Sequence, residues 1–212
     1  MDASVVQQLL LATNNRGKVA EYRLLLGDLP VTLATPSQLG ITGEPEETGA
    51  TFEENALLKA RYYAVRGGVP ALADDSGLEV DALNGAPGVY SARYAGPGAS
   101  DADRVHLLLK ALDGVPWERR TARFRCVVAL VWPDGTEEAF HGTREGYIAL
   151  EPRGSNGFGY DPVFFIPELG MTFAELAPEA KNRLSHRAQA AMKAAERLRE
   201  ELEVRNTGGV AL

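Results

Sequence analysis

The fold is decided by one stretch of the sequence: Ala122-Arg123-Phe124-Arg125-Cys126-Val127-Val128-Ala129-Leu130-Val131-Trp132, followed by Pro133-Asp134-Gly135. Every second residue from Phe124 to Trp132 is apolar, a period of two that is typical of a β-strand with one face in a core. The Pro-Asp-Gly triplet predicts a turn, and we expect residues 136–147 to return as the second strand of an antiparallel hairpin.

Helical and strand-like segments alternate on both sides of this hairpin. Upstream, the patterns predict strands at 5–12 and 31–34 and helices at 19–26, 51–66 and 100–112. Downstream, they predict a strand at 163–166 and a helix at 185–203. Because helices and strands interleave while at least one hairpin is antiparallel, the sequence predicts an α/β fold with a mixed sheet.

Composition limits the classes of function. The 212 residues are 45% hydrophobic, enough for one substantial core or two small lobes, and no linker divides them, so we treat residues 1–212 as one domain. The net charge of −7 argues against a nucleic-acid partner. No apolar run reaches the roughly 20 residues that span a bilayer. No signal peptide is apparent, and the single cysteine, Cys126, fits a reducing compartment, so we expect a cytoplasmic protein without a membrane partner.

Two adjacent carboxylates stand out in Ala73-Asp74-Asp75-Ser76-Gly77. Neighbouring side chains of an extended segment point to opposite sides, so Asp74 and Asp75 cannot both face one core. Because an unpaired buried carboxylate is strongly unfavourable, at least one of them is expected to face a loop, a metal or a ligand. An exposed turn is the alternative, since Asp-Ser-Gly is a common turn composition. With Asp75, the oxygens of Glu46 and Glu47 would suit Mg²⁺.

Three further segments have the composition of a nucleotide site. Residues 13–18 join a strand to a helix, where backbone N–H groups and Lys18 favour phosphate. The glycine-rich loop at 154–162 offers the aromatic faces of Phe158 and Tyr160 to a base. Positive charge is concentrated at Lys181 and at 186–187, where a bound anion would offset the helix dipole. A solvated turn, an ordinary loop and a surface patch are the respective alternatives.

Six sequence blocks occur in one order: Ala12-Thr13-Asn14-Asn15 with Lys18; Glu47-Thr48-Gly49 with Thr51-Phe52 and Glu54-Asn55-Ala56; Ala73-Asp74-Asp75-Ser76-Gly77-Leu78; Gly85-Ala86-Pro87-Gly88-Val89-Tyr90-Ser91-Ala92-Arg93-Tyr94; Gly157-Phe158-Gly159-Tyr160-Asp161-Pro162; and Leu184-Ser185-His186-Arg187. In this order they resemble the inosine triphosphate pyrophosphatases, also called non-canonical purine NTP pyrophosphatases. The resemblance covers residues 9–192.

The resemblance implies Mg²⁺-dependent hydrolysis of ITP, dITP, XTP and dXTP to the monophosphate and pyrophosphate, which cleanses the nucleotide pool. It also implies an elongated, mixed, twisted sheet flanked by helices, with two lobes around a central cleft, and a homodimer. The alternatives are a pyrophosphatase for other modified nucleotides and a nucleotide sensor that does not catalyse.

The resemblance further implies a role for each site residue. Asp75 matches the proton acceptor and metal ligand, Ser76 matches a substrate contact, and either Glu46 or Glu47 completes the metal site. The triphosphate is expected against Thr13, Asn14, Asn15, Arg16, Gly17 and Lys18. The base and sugar are expected among Phe158, Gly159, Tyr160, Asp161, Lys181, His186 and Arg187.

Overall fold

The computed structural model describes residues 7–207. Its strands are β1 (Gln7–Leu11), β2 (Val31–Ala34), β3 (Ala71–Val80), β4 (Thr121–Val131), β5 (Glu137–Ile148), β6 (Phe164–Ile166) and β7 (Met171–Thr172). Its α-helices are α1 (Arg16–Leu25), α2 (Phe52–Gly67), α3 (Asp101–Ala111), α4 (Pro178–Leu184) and α5 (His186–Thr207). Val5 and Val6 of the predicted first strand lie outside the described residues.

The seven strands form one sheet in the order β2-β1-β3-β4-β5-β6-β7. Strand β1 is parallel to both β2 and β3, whereas every pair from β3 to β7 is antiparallel. The predicted mixed α/β sheet and the predicted β4–β5 hairpin are therefore confirmed.

The two faces of β4 belong to two different cores, as the alternation of its residues predicts. Cys126, Val128 and Leu130 pack with α1 and α5 on one face, and Val127 and Ala129 pack with α2 on the other. A third core joins the far halves of β3 and β4 to β6 and α3.

Within residues 7–207, no helix combines the length and apolar character needed to cross a membrane.

Strand β3 continues straight through the two carboxylates. It pairs with β4 without interruption from Ala71 opposite Val131 to Val80 opposite Ala122. The exposed-turn alternative for this segment is therefore wrong, because all ten residues of β3 lie in an extended strand that pairs with β4. The extended backbone directs Asp74 and Asp75 to opposite faces of the sheet, as the sequence predicts.

Helix boundaries differ from the prediction at two places that matter for the cleft described below. Helix α1 begins at Arg16 rather than at Val19, because the Asn15 side chain caps it by accepting from the Lys18 N–H (3.1 Å). Helix α4, with Pro178 in its first turn, was not predicted, since seven residues are too few to show a helical period.

Gly142 of β5 sets how closely α5 approaches the sheet. A Cβ placed there would overlap the main-chain oxygen of His186 and would lie 2.8 Å from the main-chain nitrogen of Ala190. The start of α5 therefore lies directly on the strand backbone, which fixes the position of the residues that follow.

We expect Gly142→Ala to lower the free energy of unfolding by about 1–3 kcal/mol, since the added methyl forces α5 away from the sheet. Urea denaturation followed by circular dichroism measures the change. Glu145→Ala, at an exposed position of the same strand, is the control. Equal stability of the two variants would contradict this packing.

Candidate active site

A cleft of about 410 Å³ lies where β3 passes between the cores. Most of the residues predicted for the site line it: Thr13, Asn14, Asn15, Lys18, Glu47, Asp75, Ser76, Phe158, Gly159, Tyr160, Asp161, Lys181, His186 and Arg187. Three predicted residues do not. Arg16 and Glu46 are exposed to solvent and do not line the cleft. Gly17 packs against the ring of Phe158 and does not line the cleft either.

Asp74 is buried on the α1 and α5 side of the sheet. Its Oδ2 accepts from Lys18 Nζ at 3.0 Å and from Arg187 Nη2 at 3.2 Å. Burial alone would raise its pKa, but Lys18 and Arg187 hold the pKa of Asp74 well below its usual range. Asp74 is therefore a permanent anion that joins β3 to both helices.

A chain of buried ion pairs continues from this carboxylate. Arg187 Nη1 donates to Glu21 Oε2 at 2.6 Å, and Lys181 Nζ donates to Glu21 Oε1 at 2.8 Å and to Asp161 Oδ2 at 2.5 Å. The surface-patch alternative for these cations is wrong, because both are buried with carboxylates that neutralise them.

Asp75 faces α2 instead. Asn55 Nδ2 donates to its Oδ2 at 3.3 Å, and Lys59 Nζ bridges Asp75 Oδ1 at 3.0 Å and Glu47 Oε1 at 2.8 Å. Burial raises the pKa of Asp75, and neighbouring Glu47 adds to this effect while Lys59 opposes it. Adjacent carboxylates whose pKa values are moved in opposite directions suit one structural and one proton-accepting role.

The glycine-rich loop places one aromatic ring at the cleft. The half-buried Phe158 packs on Gly17, where a Cβ would lie only 2.7 Å from its Cδ1, and the Lys181 ammonium is 4.7 Å from its ring centroid. Tyr160 is almost fully buried, and its hydroxyl donates to the Ser91 carbonyl at 2.9 Å. Phe158 therefore offers the more accessible face.

His186 is buried at the inner wall of the cleft and stacks on Phe124, with ring centroids 4.6 Å apart. Burial, together with the nearby Arg187 and Lys181, lowers the pKa of His186 well below its usual value, so the ring is neutral. Its Nδ1 has no hydrogen-bond partner among the described residues, which leaves a polar atom for a ligand to satisfy.

Several residues of the site were missed in the sequence. Lys59 lies one helical turn after Asn55 on the same face of α2, and this spacing was the available signal. Glu21 lies on α1, where an acidic residue usually faces solvent, so its burial could not be predicted. Asp101 and Arg104 also line the cleft, but they lie more than 20 residues along the chain from each residue that was predicted for the site.

A second groove lies outside this cleft, beside the start of α2. It is lined by Thr51, Phe52, Pro87, Tyr90 and Arg125, among others, and contains none of the residues predicted for the site.

Comparison with known proteins agrees with the resemblance found in the sequence. The profile of the Ham1 family matches residues 9–197. The chain is 56% identical to the dITP/XTP pyrophosphatase of Methylococcus capsulatus, over 91% of this chain and 96% of the relative. It is 54% identical to that of Geobacter sulfurreducens, over 86% and 92% respectively. A HAM1 protein from Coxiella burnetii has a similar structure, with a TM-score of 0.84, 47% identity and coverage of 92% of this chain and 99% of that one.

We expect Asp74→Asn to destabilise the protein by about 3–5 kcal/mol, because Lys18 and Arg187 lose the buried charge that neutralises them. Thermal and urea unfolding measure the loss. Asp75→Asn is the matched control and should lose less than half as much, because burial already disfavours the charged form of Asp75. A reversed order of the two variants would contradict the assignment of the structural role to Asp74.

Proposed function

Because this chain belongs to the Ham1 family, we propose that it is an enzyme that hydrolyses ITP, dITP, XTP and dXTP to the monophosphate and pyrophosphate. The observation that carries the proposal is Asp75, a buried carboxylate of raised pKa that shares a lysine with Glu47 at the wall of the cleft. The names of the curated relatives support the substrate class.

The start of α1 suits the triphosphate. The first turn of α1 carries no acidic side chain, so its N–H groups and positive dipole end favour an anion. Lys18 reaches the cleft from this turn, and Thr13, Asn14 and Asn15 line the cleft just before it. We place the phosphates against these residues.

The carboxylates of Glu47 and Asp75 suit a hard divalent cation. They already converge on one positive group, the Lys59 ammonium. Among residues 7–207 there is no group of three or more side chains suited to hold a metal, so phosphate oxygens and water would complete the coordination, as is common for Mg²⁺. We assign Glu47 rather than the exposed Glu46 to this site. The bound Mg²⁺ would neutralise charge on the phosphates.

We propose that Asp75 acts on water. Its carboxylate accepts the proton as the water oxygen attacks the α-phosphorus, and the bond from that phosphorus to the bridging oxygen of the pyrophosphate breaks. Lys18 and Lys59 then stabilise the charge on the leaving pyrophosphate.

The far side of the cleft suits the purine. Phe158 offers a stacking face, while Arg187 and the neutral His186 supply polar atoms for the 6-oxo group that inosine and xanthosine share. Adenine carries an amino group at that position and would leave buried donors unpaired, which strongly disfavours its binding.

The undivided sequence supports a single domain, the family resemblance supports a dimer, and the single cysteine supports a reducing compartment. We propose that residues 1–212 act as one domain, that two copies form a homodimer, and that the enzyme works in the cytoplasm.

Pyrophosphate release from ITP, XTP, dITP, ATP, GTP and dTTP, measured with Mg²⁺ and with EDTA, tests the function. We expect fast release from ITP, XTP and dITP with Mg²⁺ and none with EDTA. Release from all six would contradict the account of the base pocket. Tight binding without release would identify a sensor instead.

We expect Asp75→Asn to lower kcat for dITP by at least about 10³-fold, because the amide accepts no proton from water. Steady-state kinetics measure the change, and circular dichroism confirms that the variant is folded. Glu46→Gln, at the exposed neighbour of Glu47, is the control and should retain kcat. A kcat of Asp75→Asn close to that of the wild type would remove Asp75 from the mechanism.

A further inference from the structure

A hydrogen bond joins the glycine-rich loop to helix α3, which has no part in the proposed mechanism. Gly159 N–H donates to Asp101 Oδ2 at 2.7 Å, although the two residues are 58 positions apart. Asp101 is the first residue of α3. Its carboxylate therefore links the base-side loop to a helix of the third core.

Arg104 holds this carboxylate in place. Its Nη2 donates to Asp101 Oδ1, and its Nη1 donates to the carbonyls of Ala92 at 3.1 Å and Ala99 at 2.7 Å. The guanidinium is thus fixed by the backbone on both sides of residues 93–98. The Asp101 side chain is 46% exposed, but each of its carboxylate oxygens has a partner, Oδ1 in Arg104 and Oδ2 in Gly159.

The hydrogen bond between Gly159 and Asp101 lies next to the aromatic ring of the loop. Phe158 precedes Gly159, and its own N–H donates to Asp161 Oδ2 at 2.9 Å. Asp161 in turn accepts from Lys181. The loop is therefore anchored on the Asp161 side by a buried ion pair and on the Gly159 side by Asp101, with the Phe158 ring held against Gly17 between these anchors.

We propose that Asp101 is a positioning residue that holds the glycine-rich loop so that Phe158 faces the base, with Arg104 fixing the Asp101 carboxylate. This inference rests on the proposed function. It predicts that Asp101 affects recognition of the nucleoside and leaves recognition of the phosphates unchanged, since the Asp101 carboxylate bonds to Gly159 and Arg104 rather than to residues 13–18.

Kinetics of three variants separate positioning from a general structural role. We expect Asp101→Ala to raise KM for dITP about tenfold with kcat within threefold of the wild type, because a hydrogen bond to a charged acceptor is lost. Inhibition by inorganic tripolyphosphate should be unchanged. Asp101→Asn retains an acceptor oxygen for Gly159 and should recover most of the KM. Asp103→Ala, which removes the exposed carboxylate that accepts from the Ser100 N–H at the start of the same helix, should keep the wild-type KM.

Hydrogen exchange of the Gly159 amide, followed by NMR without nucleotide, gives an independent result. We expect at least tenfold faster exchange in Asp101→Ala and no change in Asp103→Ala. Unchanged exchange, an unchanged KM, or an equal loss of tripolyphosphate inhibition would each overturn the proposal. A wild-type enzyme that releases no pyrophosphate from dITP or XTP would contradict the proposed function instead, and the exchange result would still decide whether Asp101 holds the loop.

Discussion

The structure depends on the ion pairs that Asp74 makes with Lys18 and Arg187. They join the central strand β3 to α1 and α5, and they do so where all three elements border the cleft. An unpaired carboxylate at this depth would be strongly unfavourable, as would either cation alone. Glu21 and Asp161 continue the same network to Lys181, so the groups proposed to meet the base are held by charges that neutralise one another.

Successive side chains of β3 point to opposite faces of the sheet, so the two adjacent carboxylates have different surroundings. Asp74 faces the cations of α1 and α5, and the next residue, Asp75, faces α2, where Lys59 and Glu47 surround it. Two chemically identical side chains therefore acquire different pKa values from their surroundings alone. One is buried among cations of two helices, and the other lies at the cleft wall, where we propose that it accepts a proton.

Much of this was accessible from the sequence, and the reasons for the exceptions are physical. The period-two pattern of β4 predicted the hairpin, and the Asp74-Asp75 pair predicted carboxylates on opposite faces. Residues 13–18 were predicted at the turn before α1, but the Asn15 cap that moves the helix start to Arg16 depends on side-chain geometry. Lys59, Glu21 and Asp101 were missed because their roles come from contacts distant in the chain. The sequence also could not say whether Glu46 or Glu47 belongs to the proposed metal site. We prefer Glu47 because Lys59 bridges it to Asp75.

We propose that the phosphates lie at the start of α1, with the base beside Phe158 and the scissile phosphate beside Asp75. A crystal structure of Asp75→Asn with dITP and Mg²⁺ would show where each part of the nucleotide binds. We expect the triphosphate against Asn15 and Lys18 and the hypoxanthine ring on Phe158. A nucleotide bound in the groove beside Tyr90 and Arg125, with the cleft empty, would contradict it.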